Sequence, residues 1–364
     1  MKWYPDIPMV VTMRLQFAVA RKHVSGVGRD RPEGEQMNLL HKIFAATKGI
    51  AVVLLVGLMS STAYAQEKVT YLLPAPGFLP AFAPFQIALH KGYYKAAGID
   101  ITFEVAKGGV DVAKQVGAGN ADLGGAVGDT AIIVRPNGVP VRSVALLGGK
   151  ALAQIIVRND AGIKSLADLK GKTIAVMSYQ DNNYYSFLAA ISKFGLSKSD
   201  VNAEAVGPAG VVQLVVANKA IALAGVPEWA VAVEAAGVPV TMYSVEDYFP
   251  GMAQAIVASD EAIKKHPARI KGVVQATLRA IRDIMADPSA AAKDYVDAVP
   301  QHKDQLPQME KILRLYAERV YPGQAKLGWI DPKRIEAVQD YYAKAGVIQT
   351  KTKVEDLYTN QFVE

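Results

Sequence analysis

From Lys68 onward, short apolar runs alternate with segments of helical period, and this alternation constrains the fold of the 364-residue chain more than any other feature. "KVTYLLP" reads as a strand, and "FAPFQIALHKGYYKAAG" carries apolar residues at helical spacing until Gly98 caps it. "DITFEVAK", "ADLGGAV", "VRSVALLGG" and "AQIIVRND" continue as strands, with "DVAKQVGAG" a helix among them. A second series runs through "KTIAVM", "NYYSFLAAISKFG", "VNAEAV", "PAGVVQLVVANK", "IALAGV", "PEWAVAVEAAG" and "PVTMYSV". Alternation this regular implies an α/β fold, with parallel or mixed sheets covered by helices. After "GMAQAIVASD" the pattern turns helical over 260–287, 288–299, 304–320 and 331–345. The expected organisation is two lobes: 66–154 and 256–364 form the first, 155–255 the second, and the helical tail packs back on the first.

The N-terminal region reads differently. Residues 37–65 place Lys42 and Lys48 before an unbroken apolar stretch, Gly49 to Met59, and end in Ala63-Tyr64-Ala65. Basic start, apolar centre and small-x-small end are the layout of a secretory signal peptide. The apolar stretch is well short of the ~20 residues a spanning helix needs. The expectation is export to the periplasm with cleavage after Ala65. Residues 1–36 are an extension with no usable apolar period, and Met37 is a second candidate start.

Composition removes several function classes. Lys and Arg total 40 against 34 Asp and Glu, but residues 66–364 hold 32 against 30, so no basic nucleic-acid footprint exists there. With no cysteine, disulfides, Cys-ligated metals, a thiol nucleophile and a lipid-modified N-terminus are excluded. His90, His266 and His302 are isolated from one another, so no metal is expected. "GAGNADLGG" has Asp122 where a dinucleotide fingerprint needs its third Gly, and no P-loop is present. No cofactor and no catalytic residue are expected.

In open α/β sheets, ligands sit beyond the carboxyl ends of the strands, where helix N-termini point their N–H groups. That rule selects Pro76-Gly77-Phe78, Lys107-Gly108-Gly109 and Gly128-Asp129-Thr130 from the first series. It selects Ser178 to Asn183, Gly207-Pro208-Ala209 and Pro227-Glu228-Trp229 from the second. A cleft between two lobes would gather all six.

The same stretches carry a resemblance. "FQIALHKGYYKAAGIDITFEVAKGG", "GAGNADLGGAVGDT", "DAGIKSLADLKGKTIAV" and "SDEAIKKHPARIKGVVQATLRAI" resemble motifs of periplasmic solute-binding proteins of the nitrate, sulfonate, taurine and thiamine-pyrimidine (NMT1-like) type. The likeness covers essentially everything after residue 68. It implies a two-lobed, type II-like periplasmic-binding-protein fold with the ligand in the cleft. It also implies a monomer that delivers a small solute to a separate ABC permease and ATPase. One departure stands out: "ANKAIALAGVPEW" has Asn218 and Ile221 where the family pattern has Gly and Asp. Asn still adopts a left-handed helix cap, so the turn is expected to survive. Two other classes share the fold. One is an enzyme like the fungal thiamine-pyrimidine synthases, which use a cysteine-rich motif and an active-site histidine. The other is a periplasmic sensor that presents its ligand to a receptor.

The candidate ligand-binding residues are Phe78, Gly108, Gly109, Asp129, Thr130, Ser178, Tyr179, Gln180, Asp181, Gly207, Pro208, Glu228 and Trp229. Each also has a plain structural reading. Asp181 or Ser178 suits a helix cap at 182, Asp129 suits a cap more than a ligand contact, and Glu228 complements a helix dipole. Taken together, 178–185 reads as a pocket wall with Tyr179 as the stacking ring, and Trp229 offers an apolar face with one N–H. Three acids and one base, Lys107, lie in these loops. Helix N-termini alone suffice for a small sulfonate or nitrate, whereas the acids and rings suit a pyrimidine-like or other aromatic solute. Both classes stay open on sequence.

Overall fold

The computed structural model describes residues 66–364; the extension 1–36 and the leader 37–65 lie outside the described residues. In chain order the strands are β1 (Glu67–Leu73), β2 (Ile99–Val105), β3 (Leu123–Val127), β4 (Val141–Leu146) and β5 (Gln154–Arg158). They continue with β6 (Thr173–Val176), β7 (Asn202–Ala205), β8 (Ala222–Gly225), β9 (Val240–Ser244) and β10 (Gln254–Ser259). They form two five-stranded sheets, ordered β2-β1-β3-β10-β4 and β7-β6-β8-β5-β9. Each sheet carries one strand antiparallel to both neighbours: β10 in the first and β5 in the second. Those two strands are the ones by which the chain enters the second lobe and returns to the first. The mixed sheets are thus a consequence of two lobes sharing one chain.

The helices of the two series are α1 (Ala83–His90), α2 (Tyr93–Ala96), α3 (Gly109–Gly117), α4 (Thr130–Val134), α5 (Asn182–Ser192), α6 (Gly207–Val216) and α7 (Pro227–Ala235). The tail adds α8 (Asp260–Lys265), α9 (Pro267–Ala286), α10 (Pro288–Ala298), α11 (Leu306–Arg319) and α12 (Pro332–Lys344). The expected helix over 260–287 is two helices. Pro267 has no N–H for a continuing helix and disfavours helical backbone at His266, which takes φ −130° and ψ 48°. Most tail helices start where the sequence supplies a cap: Ser259 accepts from Ala262 N, Asp287 from Ser289 N and Asp331 from Lys333 N.

Two segments, 147–153 and 245–253, run between the sheets and pair with each other. Leu152 N donates to Met252 O at 3.1 Å, and Val245 N to Ala153 O at 3.2 Å. Arg334 ties them together, donating to Gly149 O, to Gly251 O and to Glu246, which also accepts from Ala151 N. Asn218 is the one residue besides glycine with positive φ among the described residues, at 56°, so the turn the departure put in question keeps its geometry. In the first lobe the matching acid is present: Asp122 accepts from Thr70 N at 2.8 Å and pairs with Arg269. Among the described residues, no helix is long and apolar enough to cross a membrane.

Candidate functional site

The carboxyl ends of both sheets face a shared cavity of about 50 Å³. Pro74, Phe82, Phe85 and Gly109 of the first lobe line it, opposite Met177, Asp181, Asn182, Asn183, Glu228 and Trp229 of the second. Phe82, Phe85 and Trp229 are at most 5% exposed, so its walls are largely apolar and aromatic. Trp229 reaches this position because Gly225, at the end of β8, has no side chain: a Cβ there would lie 2.0 Å from Trp229 Cε3. Gly109 serves the opposite wall, where a Cβ would lie 2.4 Å from Asn182 Oδ1.

The stretch "SYQDNNYY" becomes intelligible at this wall. Ser178 Oγ accepts from Gln180 N and Ser178 O from Asp181 N, a turn that delivers Asp181 to the N-cap of α5. There Asp181 accepts from Asn183 N and from Asn183 Nδ2. Burial pushes its carboxyl up to about 6, with those Asn183 bonds pulling the other way.

Two further carboxylates hold the lobes to each other and to the tail. Asp129, fully buried, accepts from Asn182 Nδ2 of the second lobe at 2.7 Å and from the Tyr342 hydroxyl of α12. Glu228 reaches the other way: Oε1 accepts from Ala81 N of the first lobe at 3.2 Å, and Oε2 from the Tyr316 hydroxyl of α11 at 2.5 Å. Each lobe therefore sends one buried acid across the cleft, met by one donor of the other lobe and one tail tyrosine. Burial pushes Asp129 to about 6 and Glu228 to about 7, against the hydrogen bonds that favour their charged forms.

The expected site residues separate into three groups. Gly109, Asp181, Glu228 and Trp229 line the cavity. Asp129 lies behind it as a lobe-to-lobe link and makes no side-chain cap to α4, against the capping role expected for it. Thr130 is buried beside it, its Oγ1 without a partner. Gly108 meets the facing loop, since a Cβ there would lie 3.0 Å from Gln180 O, and Gln180 and Ser178 form the turn at the rim.

Four others lie away from the cavity. Tyr179 sits at the apex of the Ser178 turn and is 53% exposed. Its hydroxyl donates to Ala203 O on the second lobe's own outer strand, and its ring edge packs on Tyr184, so it is not the stacking ring expected of it. Gly207 and Pro208 stay half-exposed after β7, an edge strand. Phe78 is 43% exposed, its carbonyl held by the Tyr295 hydroxyl and His302 Nε2. Among the described residues, no lysine, arginine or histidine lines the cavity; the backbone N of Lys107, outside it, donates to Asp111.

A family model described as NMT1/THI5 like matches residues 79–291, more than half of the chain. The chain belongs to the NMT1/THI5-like family. The riboflavin-binding protein RibY of Chloroflexus aurantiacus is 24% identical over 344 residues, covering 88% of this chain and 98% of RibY. A 4-amino-5-hydroxymethyl-2-methylpyrimidine phosphate synthase of Schizosaccharomyces pombe is 27% identical over 63% of this chain and 69% of its own. In fold, the alkanesulfonate-binding protein SsuA of Xanthomonas axonopodis, bound to MOPS, superposes with a TM-score of 0.64 at 19% identity, over 81% of this chain and 98% of that one. The architecture is therefore the periplasmic-binding-protein fold the sequence motifs implied.

Within this NMT1/THI5-like chain, the residues that sequence reasoning passed over are of two kinds. Asn182 and Asn183 sat inside the quoted loop but looked like ordinary first-turn residues. Tyr316 and Tyr342 come from the helical tail, which was expected to pack back on the first lobe. The tail also reaches the second lobe: α11 packs against α7, and Tyr341 of α12 bonds Ser192 at 2.9 Å. Nothing in local sequence marks those tyrosines; only the meeting of three distant segments does.

Proposed function

We propose that the chain is the substrate-binding component of an ABC importer, exported by the 37–65 leader, which captures a small organic solute between its lobes and delivers it to a membrane permease. The observation that carries this reading is the division of the cavity walls between two lobes linked through paired crossing segments and held shut by opposed carboxylate bridges. A solute that touches both walls favours the closed arrangement by its differential affinity for it, and closure is what a permease would read. The overlap with RibY along nearly the full length of both chains supports binding as the role. The synthase relative raises an enzyme as the second reading. Its support here is thin, since the chain has no cysteine and, among the described residues, no histidine lines the cavity.

The test is small-angle scattering of the protein with and without a solute confirmed by calorimetry. A reduced radius of gyration and a smaller maximum dimension on binding are expected. Superimposable profiles would refute closure as the working motion.

A further inference from the structure

α12 touches both lobes and the segments that join them. From its first turn Arg334 donates to Gly149 O and Gly251 O, one on each crossing segment. In its last turn two consecutive tyrosines diverge around Phe249 of the second crossing segment, with ring centroids 5.1 and 5.7 Å from it. The Tyr342 hydroxyl donates to Asp129 of the first lobe. The Tyr341 hydroxyl donates to Ala189 O of α5 and shares a bond with Ser192 Oγ at 2.9 Å, so it holds the second lobe. The Lys193 ammonium lies over the same ring, 5.3 Å from its centroid.

α5 carries that hold to the cavity. Asp181, Asn182 and Asn183 at its start line the cleft, while Ala189 and Ser192 stand in its last turn. Asn182 and Ala189 are about 10 Å apart along the helix, which moves as one rod, so a tilt at one end displaces the other. Beside the contact, α5 and α12 border a groove of about 320 Å³ lined by Ser192, Lys193, Tyr341, Lys344 and Ala345. At this end the two helices touch through Tyr341 and do not pack face to face, so the contact parts without opening a core. Bonds made in the closed arrangement favour it over any arrangement that lacks them.

Resting on the solute-capture reading above, we infer that Tyr341 is a positioning residue for capture: from outside the cavity it fastens the second lobe in the closed arrangement and fixes where the first turn of α5 stands. Tyr341 does not line the cavity, so it acts through α5 and not on the solute. Tyr341→Phe keeps the ring on Phe249 and beneath Lys193, and removes the fastening bonds alone. Ser192 Oγ still donates to Ala189 O at 2.9 Å in that variant, so the helix carbonyl keeps a partner and the loss falls on the contact between the lobes.

The test exploits a chain without cysteine. Val105→Cys and Ala205→Cys change exposed residues that end β2 and β7, the edge strands of the two sheets, and accept nitroxide labels on either side of the cleft. Pulsed electron–electron double resonance of the full chain without solute then reads a short, closed distance and a long, open one. Tyr341→Phe is expected to lower the ratio of short to long by about threefold or more, the effect of one lost hydrogen bond, while melting stays cooperative. Ser192→Ala, which leaves the tail untouched, is expected to shift the ratio the same way. A ratio unchanged in both variants overturns the role of Tyr341 and leaves closure standing. A native protein with the long distance alone also overturns it, because a contact that is not made fastens nothing. One short distance in the native protein, in both variants and in Asn182→Ala, which cuts the bond to Asp129, describes lobes that do not part and overturns closure as well.

Discussion

Replacing Glu228 with glutamine removes a titration that the fold itself has displaced. The carboxyl is 3% exposed, and burial raises it from 4.5 to about 7 although Tyr316 and Ala81 N both donate to it. A raised carboxyl means that the native state holds its proton more tightly than the unfolded chain does. Its stabilising effect is thus full below pH 4.5 and is lost as pH rises through 7, the reverse of a salt-bridged acid. At ~1.4 kcal/mol per pH unit, the gap between 4.5 and about 7 corresponds to about 3 kcal/mol. Glutamine fits the same contacts, with Oε1 accepting from Ala81 N and Nε2 donating to a Tyr316 hydroxyl that rotates to accept. Urea unfolding of both proteins from pH 4.5 to 8.5 measures the effect, because Asp129 and Asp181 titrate in each and cancel in the difference. The stability of the native protein relative to Glu228→Gln should fall by about 3 kcal/mol from the acid end to the alkaline end. A difference that stays flat across that range would refute the buried, proton-holding carboxyl.

Three other perturbations follow from the same geometry. Gly225→Ala forces a methyl into the Trp229 ring and should cost about 1–3 kcal/mol, read as a lowered melting temperature with weaker solute binding; an unchanged melting temperature contradicts the close approach. Tyr342→Phe strips one donor from buried Asp129 and should cost about 1–3 kcal/mol, with the loss growing as pH rises through 6 because the charged form is the one deprived; a pH-independent loss contradicts it. Asn218→Ala should destabilise by about 1 kcal/mol at its left-handed turn while Asn218→Gly does not, and equal melting temperatures for the two variants would count against the strained φ of 56°.

What could be read from the sequence was whatever repeats with a period. Alternation of apolar runs and helical segments gave both lobes, and the rule that ligands sit beyond strand carboxyl ends reached the loops carrying Gly109, Asp181, Glu228 and Trp229. The rule fails one level down because a loop's address does not fix the direction of each side chain. Tyr179 and Asp181 are two residues apart, yet the turn made by Ser178 sends one to the outer strand β7 and the other into the cleft. Asp129 shows a second kind of failure. Beside Thr130 at a helix start it has every local mark of a cap, but a stronger pair of donors, Asn182 and Tyr342, arrives from segments 53 and 213 residues away. Local propensity loses wherever tertiary structure supplies a better partner to a buried charge, because an unpaired buried carboxylate costs more than a missing cap. The acids of this cleft are therefore the place where sequence reading was bound to stop, and also where closure and proton binding become one equilibrium. Whatever parts the lobes separates Asp129 and Glu228 from their cross-cleft donors and admits water to both. On the proposed closure model, opening relieves the burial that raises both carboxyls, so a rise in pH through 6 to 7 is expected to favour the open form, and scattering profiles that do not change between pH 5 and 8 would count against it.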